Sequence, residues 1–578
     1  MKSIPTMISH ITAGLALFTV VNGARNTQRN IQASLNSRGV PADATGVKTL
    51  VTPQNITIRY KEPGKEGVCE TTPGVNSYSG YIDLDANSHT FFWFFEARND
   101  PANAPVTLWL NGGPGSDSMI GLFQELGPCN VTANLTTEVN PYSFSEHSNL
   151  LFLSQPLGVG FSYGSEGVGS LNPFTGIYEN ASFAGAQGRY PVINASAIDT
   201  TDLAAVAAWH VLQGFLGGLP QLDPTVNLTS KKEFNLWTES YGGHYGPAFY
   251  KYFYDRNQEI ANGTIEGIHL DFNTLGVGNG IIDEYIQAPF YPEFAVNNTY
   301  GIKAYNDTVY NYAKFALNMG NGCLDQISYC RATNLTTTAD QAICTEAENM
   351  CRDNVEGPFY VYGGRGTYDI RHPSDDPTPP SYFVDFLNLA STQNALGVNL
   401  NYSAPANDEV YYAFQQTGDF VYPTFLEDLE YLLANDVRVS LFYGDADYIC
   451  NWFGGEAISL ATNYTHSAEF AAAGYAPFLV DGTEYGEVRQ YGNFSFLRVY
   501  EAGHEVPYYQ PVASLEFFRR TLLNLDIADG KSRITSNYSS PGTASATHTE
   551  SFVPLPSSTS STSDSSTAAP GLPNGFRN

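Results

Sequence analysis

The sequence predicts an α/β protein, a mixed and mostly parallel sheet flanked by helices, with an inserted, disulfide-stapled cap. Three observations carry this. Short apolar runs alternate with helical patterns over most of the chain. One long stretch, about 284–405, breaks that rhythm and holds four clustered cysteines. And 42% apolar and 13% aromatic residues in a chain of 578 supply a large core, enough for one big domain with an insertion or for two to three domains.

At the N-terminus, Lys2 is followed by the apolar stretch Ile8 to Val21 and by small residues around Gly23 and Ala24. The stretch is short and ends at a cleavable site, so residues 1–23 read as a signal peptide rather than a membrane anchor. Residues 24–50 are polar and irregular, a candidate pro-segment or loose arm. The globular composition runs from 51 to 530. Beyond it, 531–578 is dominated by Ser, Thr and Pro and reads as a disordered, O-glycosylated tail.

Within the globular part, Pro105–Leu110, Leu150–Leu153, Phe234–Trp237, Val437–Tyr443 and Phe494–Tyr500 read as buried strands. Asp202–Phe215 and Thr424–Ala434 read as amphipathic helices. Strands alternating with helices imply a parallel sheet covered on both faces. Cys323, Cys330, Cys344 and Cys351 are spaced 7, 14 and 7, which suits a nested pair, Cys323–Cys351 around Cys330–Cys344. Cys69–Cys129 would then pair by elimination and leave Cys450 free, although spacing alone leaves other connectivities open.

Charged residues are only 15% of the chain, with net charge −30 and pI near 4.5. Such a surface repels nucleic acid and anionic membranes. Fourteen Asn-x-Ser/Thr sequons offer another means of wetting it: Asn55, Asn130, Asn134, Asn180, Asn194, Asn227, Asn262, Asn297, Asn306, Asn334, Asn401, Asn463, Asn493 and Asn537. Sequons, signal peptide and cysteines together place the protein in a secreted, extracellular setting, without a membrane anchor, as monomer or homodimer.

The chemistry begins at Ser240, in Thr238-Glu-Ser-Tyr-Gly-Gly-His-Tyr-Gly-Pro247, directly after strand 234–237. A serine on a tight strand-to-helix turn is a nucleophile elbow, here with Thr238 in place of the first Gly of Gly-x-Ser-x-Gly. Asp445 and Asp447 follow strand 437–443, and His504 follows strand 494–500. Ser, then Asp, then His, each just beyond a strand, is the chain order of an α/β-hydrolase triad, and parallel strands bring such ends to one edge. The Gly-rich turn Trp109-Leu-Asn-Gly-Gly-Pro-Gly115 supplies backbone N–H groups for an oxyanion.

These blocks, with Gln155-Pro-Leu-Gly-Val-Gly-Phe-Ser-Tyr163, Gly444-Asp-Ala-Asp-Tyr-Ile-Cys-Asn-Trp452 and Ala502-Gly-His-Glu-Val-Pro507, resemble the serine carboxypeptidase family, particularly its secreted fungal members, over roughly residues 55–525. The resemblance implies an α/β-hydrolase fold, a serine carboxypeptidase catalytic domain over 51–530, and removal of single C-terminal amino acids from peptides and proteins. It implies Ser240 as nucleophile, His504 as base, Asp447 as orienting acid, and Gly113 and Tyr241 as oxyanion-hole donors. Asn111, Gly112, Glu125 and Glu239 match the family's recognition set for the substrate carboxylate. The nested cysteine spacing also resembles disulfides of the family's cap.

A carboxylate can pair with Glu only if one of them holds a proton, so that set implies an acidic working pH. The sequence departs from the family at Ser116, where a cysteine is frequent, at Ser154, where an acid is common, and at Glu505, where some relatives carry an apolar residue. Glu505 would line the leaving-residue pocket and favour Lys or Arg, or serve only as its wall; Cys450 would line the site as a free thiol. No metal cluster, P-loop or dinucleotide fingerprint is present, so no metal or cofactor is implied. An acyltransferase on the same scaffold and a non-catalytic binding protein are the competing readings. Acyl-acceptor assays and fluorophosphonate labelling of Ser240 separate them from a peptidase.

Overall fold

The structure, a computed structural model, describes residues 39–172, 178–180, 187–226, 233–335, 337–422 and 425–555. The expected signal peptide, the segment up to residue 38 and sequon Asn227 lie outside the described residues.

Twelve strands form one sheet: β1 Lys48–Val51, β2 Thr57–Lys61, β3 Ser77–Asp85, β4 Ser88–Phe95, β5 Val106–Leu110, β6 Asn149–Leu153, β7 Glu233–Glu239, β8 Asp271–Gly278, β9 Arg438–Gly444, β10 Tyr475–Val480, β11 Thr483–Tyr491 and β12 Phe494–Val499. Their spatial order is β1-β2-β3-β4-β6-β5-β7-β8-β9-β12-β11-β10. The central run from β6 to β12 is parallel, and antiparallel strands complete both ends. The five strands expected from the sequence all belong to the parallel run.

Side-chain alternation makes the sheet two-sided. Phe92 and Phe94 of β4, Leu108 and Leu110 of β5, and Leu236 of β7 face one core. Phe91, Trp93 and Phe95, Trp109, and Trp237 from the same strands face the other. Helices α1 Thr201–Leu222 and α2 Gly242–Ala261 cover the first face. On the second, Phe517 and Phe518 of a later helix, Pro511–Leu522, pack on Trp237 with ring centroids 5.5 and 4.9 Å apart.

Helix α1 runs a full two turns beyond the expected Phe215. Gly217, Gly218 and Pro220 read as a stop, but Leu216, Leu219 and Leu222 are all buried, and that burial outweighs the weak local propensity. By length and composition α1 could cross a membrane; it is instead mostly buried in the core.

The 284–405 stretch, expected as an inserted cap, holds helices and connecting loops and, among its described residues, none of the sheet's strands. Helix α3 Asp307–Asn318 precedes α4 Cys323–Arg331 and α5 Thr338–Cys351, and the disulfides Cys323–Cys351 and Cys330–Cys344 staple α4 to α5. Cys69 pairs with Cys129, and Cys450 is free and buried. The cap also continues past residue 405, because helix α6 Asp408–Thr417 packs on α5.

Three expectations need correction. Residues 39–50 are not a loose arm: Lys48–Val51 forms the sheet edge, Arg189 is paired with Asp43 at 2.6 Å, and the Lys61 Nζ donates to the Thr45 carbonyl at 2.9 Å. The body does not end at 530, since residues 531–555 lie against it through hydrogen bonds described below. Their backbone finds partners even though their composition gives them little apolar surface to bury. Sequon Asn401 is only 2% exposed, and its Oδ1 accepts the Arg189 backbone N–H at 2.8 Å, so a folded chain cannot carry a glycan there. A small three-stranded sheet over Ser165–Leu171, Tyr178–Glu179 and Gly188–Val192 was not anticipated, because its Gly-rich strands lack an apolar alternation.

Several carboxyls are raised by burial. Burial pushes Asp117 and Asp419 up to about 6, and it carries Asp428 to about 7 against the pull of Lys251. Burial and then Glu356 carry Glu284 to about 8 against Arg352 and Arg331. Their ordinary values in an unfolded chain lie near 4. The folded state therefore binds more protons than the unfolded one between those limits, and stability falls as pH rises through 6 to 8. Asp83, held below its ordinary range by Arg59 against the cost of burial, works oppositely and loses its contribution in strong acid. The thermal midpoint should thus peak at mildly acidic pH and decline toward pH 8; a midpoint that rises steadily from pH 5 to 8 would contradict this.

Candidate active site

The parallel strands end on one edge, and each end carries a predicted site residue. β7 runs into Ser240, β5 into Asn111, β9 into the 445–450 loop, and β12 into the turn that carries His504. The Ser240 backbone has φ +65°, the left-handed conformation of a sharp elbow that an L-residue adopts only under constraint. Two parallel-strand contacts hold it: Ser240 N–H donates to the Gly278 carbonyl, and Ile281 N–H donates to the Ser240 carbonyl, both at 3.0 Å. The chain then turns directly into α2, whose N-terminal amides and dipole favour negative charge beside Ser240.

His504 is buried, and its Nδ1 donates to Asp447 Oδ2 at 2.7 Å. The same oxygen accepts Asn279 Nδ2 at 2.7 Å, and Asp447 Oδ1 accepts the Ile449 N–H at 3.1 Å. The carboxylate is therefore fully engaged and fixed in direction. Burial opposes an imidazolium at His504, but Asp447 outweighs it and holds the ring above its ordinary value. Of the two aspartates, Asp447 meets the histidine. Asp445 accepts the Tyr300 hydroxyl at 2.7 Å instead.

The Gly-rich turn lies against the elbow. A Cβ on Gly112 would sit 2.3 Å from the Tyr241 nitrogen, so only glycine permits this approach. Gly113 has φ +104°, again a glycine conformation. The Gly-rich turn and the start of the elbow helix therefore lie backbone against backbone at Gly112 and Tyr241. A backbone bridge from Ser116 to Ala406 ties the turn to the cap.

Asn111 orients the acidic part of the site. Its Oδ1 accepts Trp109 Nε1 at 2.8 Å and the Gly121 N–H at 2.9 Å, which fixes the amide. Its Nδ2 then donates to Glu125 Oε1 and Glu239 Oε1, each at 3.2 Å. Both glutamates are almost wholly buried. Burial, then Glu125, pushes Glu239 well above the usual range, and burial raises Glu125. Glu239 Oε1 is also 3.8 Å from His504 Nε2, which joins the acid pair to the His504–Asp447 pair. Glu505 is raised to about 7 by burial, against the opposing pull of His504, and its Oε2 has no partner.

Among the described residues, Asp447, Cys450 and His504 bring potential metal-ligating atoms within 4.8 Å of one another. Burial and the Asp447 charge keep the Cys450 thiol protonated, and Nδ1 is already committed to Asp447, so the group suits acid–base chemistry better than metal binding.

Sequence reasoning missed three supporting residues. Asn279 orients Asp447 and also accepts the Gly444 N–H at 3.1 Å; its Gly-Asn-Gly setting after a strand was a readable signal. Asp117 accepts Ser154 Oγ and the Tyr402 hydroxyl, each at 2.8 Å, behind the Gly-rich turn. Asp419 accepts the Tyr241 hydroxyl at 2.5 Å and anchors its ring; nothing local to Asp419 announces this.

Comparison with known proteins agrees with the geometry. The sequence pattern described as serine carboxypeptidase matches residues 63–524. The chain is 41% identical to carboxypeptidase S1 homolog A of Arthroderma otae, covering 94% of this chain and 87% of that one. It is 33% identical to a protein named vacuolar serine-type carboxypeptidase from Saccharomyces cerevisiae, covering 85% and 87%. Among solved structures it resembles Kex1(Δ)p, a prohormone-processing carboxypeptidase of Saccharomyces cerevisiae. The TM-score is 0.61 at 20% identity, over 81% of this chain and 96% of that one, a likeness of fold.

Proposed function

Because this chain belongs to the serine carboxypeptidase family, hydrolases of peptide C-termini, we propose that it releases single C-terminal amino acids through an acyl-enzyme on Ser240, most effectively in acid. The observation that carries this reading is the Asn111 amide aimed at two buried, protonatable glutamates, one of which directly precedes Ser240. An endopeptidase has no use for such a group; a substrate carboxylate does.

In this reading His504 Nε2 takes the Ser240 proton as Oγ attacks the terminal peptide carbonyl. Asp447 holds the imidazole tautomer and stabilises the cation. The Gly113 and Tyr241 N–H groups receive the oxyanion, each worth about 3 kcal/mol in such sites. His504 then protonates the leaving amine, and water repeats the sequence on the ester. Asn111, Gly112, Glu125 and Glu239 hold the terminal carboxylate, with the shared proton of the glutamates supplying a donor. The test is cleavage of a blocked dipeptide against its C-terminally amidated twin across pH. Equal cleavage of both in acid would remove the exopeptidase reading.

Glu505 refines specificity. It is neutral below about 7, so any acceptance of C-terminal Lys or Arg through its charge should strengthen toward neutral pH. The ratio of Lys- to Leu-terminated dipeptide cleavage at pH 5 and pH 7 measures this, and a flat ratio leaves Glu505 as a wall.

Cys450 is 2% exposed, and its protonated thiol lies within hydrogen-bonding range of Ser240. A bulky mercurial should inhibit by filling the site, while Cys450→Ser should retain most activity and resist the reagent. Inhibition of the serine variant at the wild-type rate would place the target elsewhere.

Exposed sequons such as Asn55, Asn262 and Asn306, together with three disulfides, support passage through a secretory pathway. Whether the destination is extracellular or vacuolar is decided by fractionating the producing cells, with culture fluid the expected compartment.

A further inference from the structure

Residues 531–555 run across the sheet edge and the back of the catalytic loops. Tyr475 of edge strand β10 and Thr543 exchange backbone hydrogen bonds at 2.7 and 3.2 Å, and Ser540 N–H donates to the Gln490 carbonyl at 2.9 Å. This pairing covers an edge that would otherwise be open. The segment then reaches two buried guanidinium groups. Arg498, 1% exposed, donates through Nη2 to the His548 carbonyl at 2.8 Å, and the His548 ring stacks on Tyr500 at 3.6 Å. Arg365 donates through Nη2 to the Val553 carbonyl at 2.9 Å.

Each arginine leads to the loop that carries Asp447. Arg498 Nη2 also donates to Thr299 Oγ1 at 3.0 Å and lies 3.7 Å from Asp445 Oδ2; the Thr299 hydroxyl donates to the Asp445 carbonyl at 3.3 Å. Arg365 donates through Nη1 to the Ile370 carbonyl at 2.8 Å, and Ile370 N–H donates to the Ala446 carbonyl at 2.9 Å. Between the arginine and Ile370, the Tyr368 carbonyl accepts the His504 N–H at 2.8 Å, and the Thr367 carbonyl accepts the N–H groups of Tyr448 and Ile449. The segment therefore grips the Asp447 loop from two sides, and one of its two anchors also carries the backbone of His504.

We propose that residues 531–555 form a positioning strap, which acts through Arg498 and Arg365 to hold the 445–450 loop where Asp447 meets His504. This rests on the reading of Asp447 and His504 as members of the triad. The strap touches no substrate. Its effect falls on the orientation of the base, which changes kcat, while the proposed carboxylate-binding residues Asn111, Glu125 and Glu239 are untouched, which leaves KM alone.

The test compares chains ending at residues 555 and 530, and the full-length variants His548→Ala and His548→Phe. All are assayed for kcat, KM and thermal midpoint on one blocked dipeptide, with Ser240→Ala alongside. A chain ending at 555 should match the full chain. The chain ending at 530 should lose roughly tenfold or more in kcat, with KM within about twofold. His548→Ala removes the stack on Tyr500 and the pairing of its ring with Glu550, and should lose kcat several-fold; His548→Phe keeps the stack and should recover it. If the shorter chain does not fold, the two His548 variants decide. Wild-type kcat in His548→Ala, with only the thermal midpoint lowered, would make the strap a staple and overturn the proposal. Activity in Ser240→Ala would instead remove the triad reading itself, so the two failures are distinct.

Discussion

Replacing Ser240 with alanine will lower kcat on a blocked dipeptide by on the order of 10⁵-fold, because a nucleophile and its base act as a unit and neither works alone. The thermal midpoint will move by no more than about 2 °C, since the change removes a single hydroxyl from a half-buried turn. The φ of +65° is paid for by the surrounding backbone, and alanine meets the same constraint as serine. The residual rate should still show the preference for a free C-terminal carboxylate, because Asn111, Glu125 and Glu239 are intact. Active-site labelling by a fluorophosphonate should vanish in parallel. A variant that kept more than a few per cent of activity at an unaltered midpoint would mean that Ser240 is not the nucleophile.

The parallel part of the sheet was legible because its strands are apolar on both faces. Val106–Leu110 and Asn149–Leu153 are buried at every position and apolar at all but Thr107 and Asn149, and Gly-containing turns follow where the chain leaves the sheet. The proposed triad was legible for the same reason: each candidate stands shortly past such a run, and parallel pairing carries those ends to one edge. What escaped was whatever depends on distant partners. Asp419 reads as an ordinary polar residue in a loop; only the fold brings it under Tyr241. Residues 531–555 look unfoldable by composition, yet Ser540 is 3% exposed because β10 and β11 offer it backbone partners. Asn401 satisfies the sequon pattern and is buried, since a three-residue motif carries no information about burial. Choosing Asp447 over Asp445 likewise needed either resemblance or coordinates. The two residues alternate in direction along the loop, one toward His504 and one toward Tyr300.

For Glu239→Gln, the expected result is a flattened dependence of KM on pH. In the wild type, burial and the neighbouring Glu125 raise Glu239 well above the ordinary carboxyl range, and burial raises Glu125, so the pair holds a proton in acid. A protonated pair can donate to the substrate carboxylate beside the Asn111 amide. The sign follows directly: as pH climbs past the apparent value of the pair, the proton is lost and two like charges face the substrate. KM should then rise by up to about tenfold per pH unit once the pair loses its proton, because the binding form is titrated away by one group. An amidated dipeptide carries no such charge, so it should show neither the acidic advantage nor the steep rise. Glutamine remains a donor at every pH, which is why the variant should bind the free acid more weakly in acid but lose affinity less as pH rises. Its kcat should change less than its KM, since Ser240, His504 and Asp447 keep their contacts. The deciding measurement is KM against pH from 4.5 to 8 for both proteins on one free-acid dipeptide. Parallel curves would move the carboxylate site away from Glu239 and leave any acid preference to other groups or to the stability of the fold.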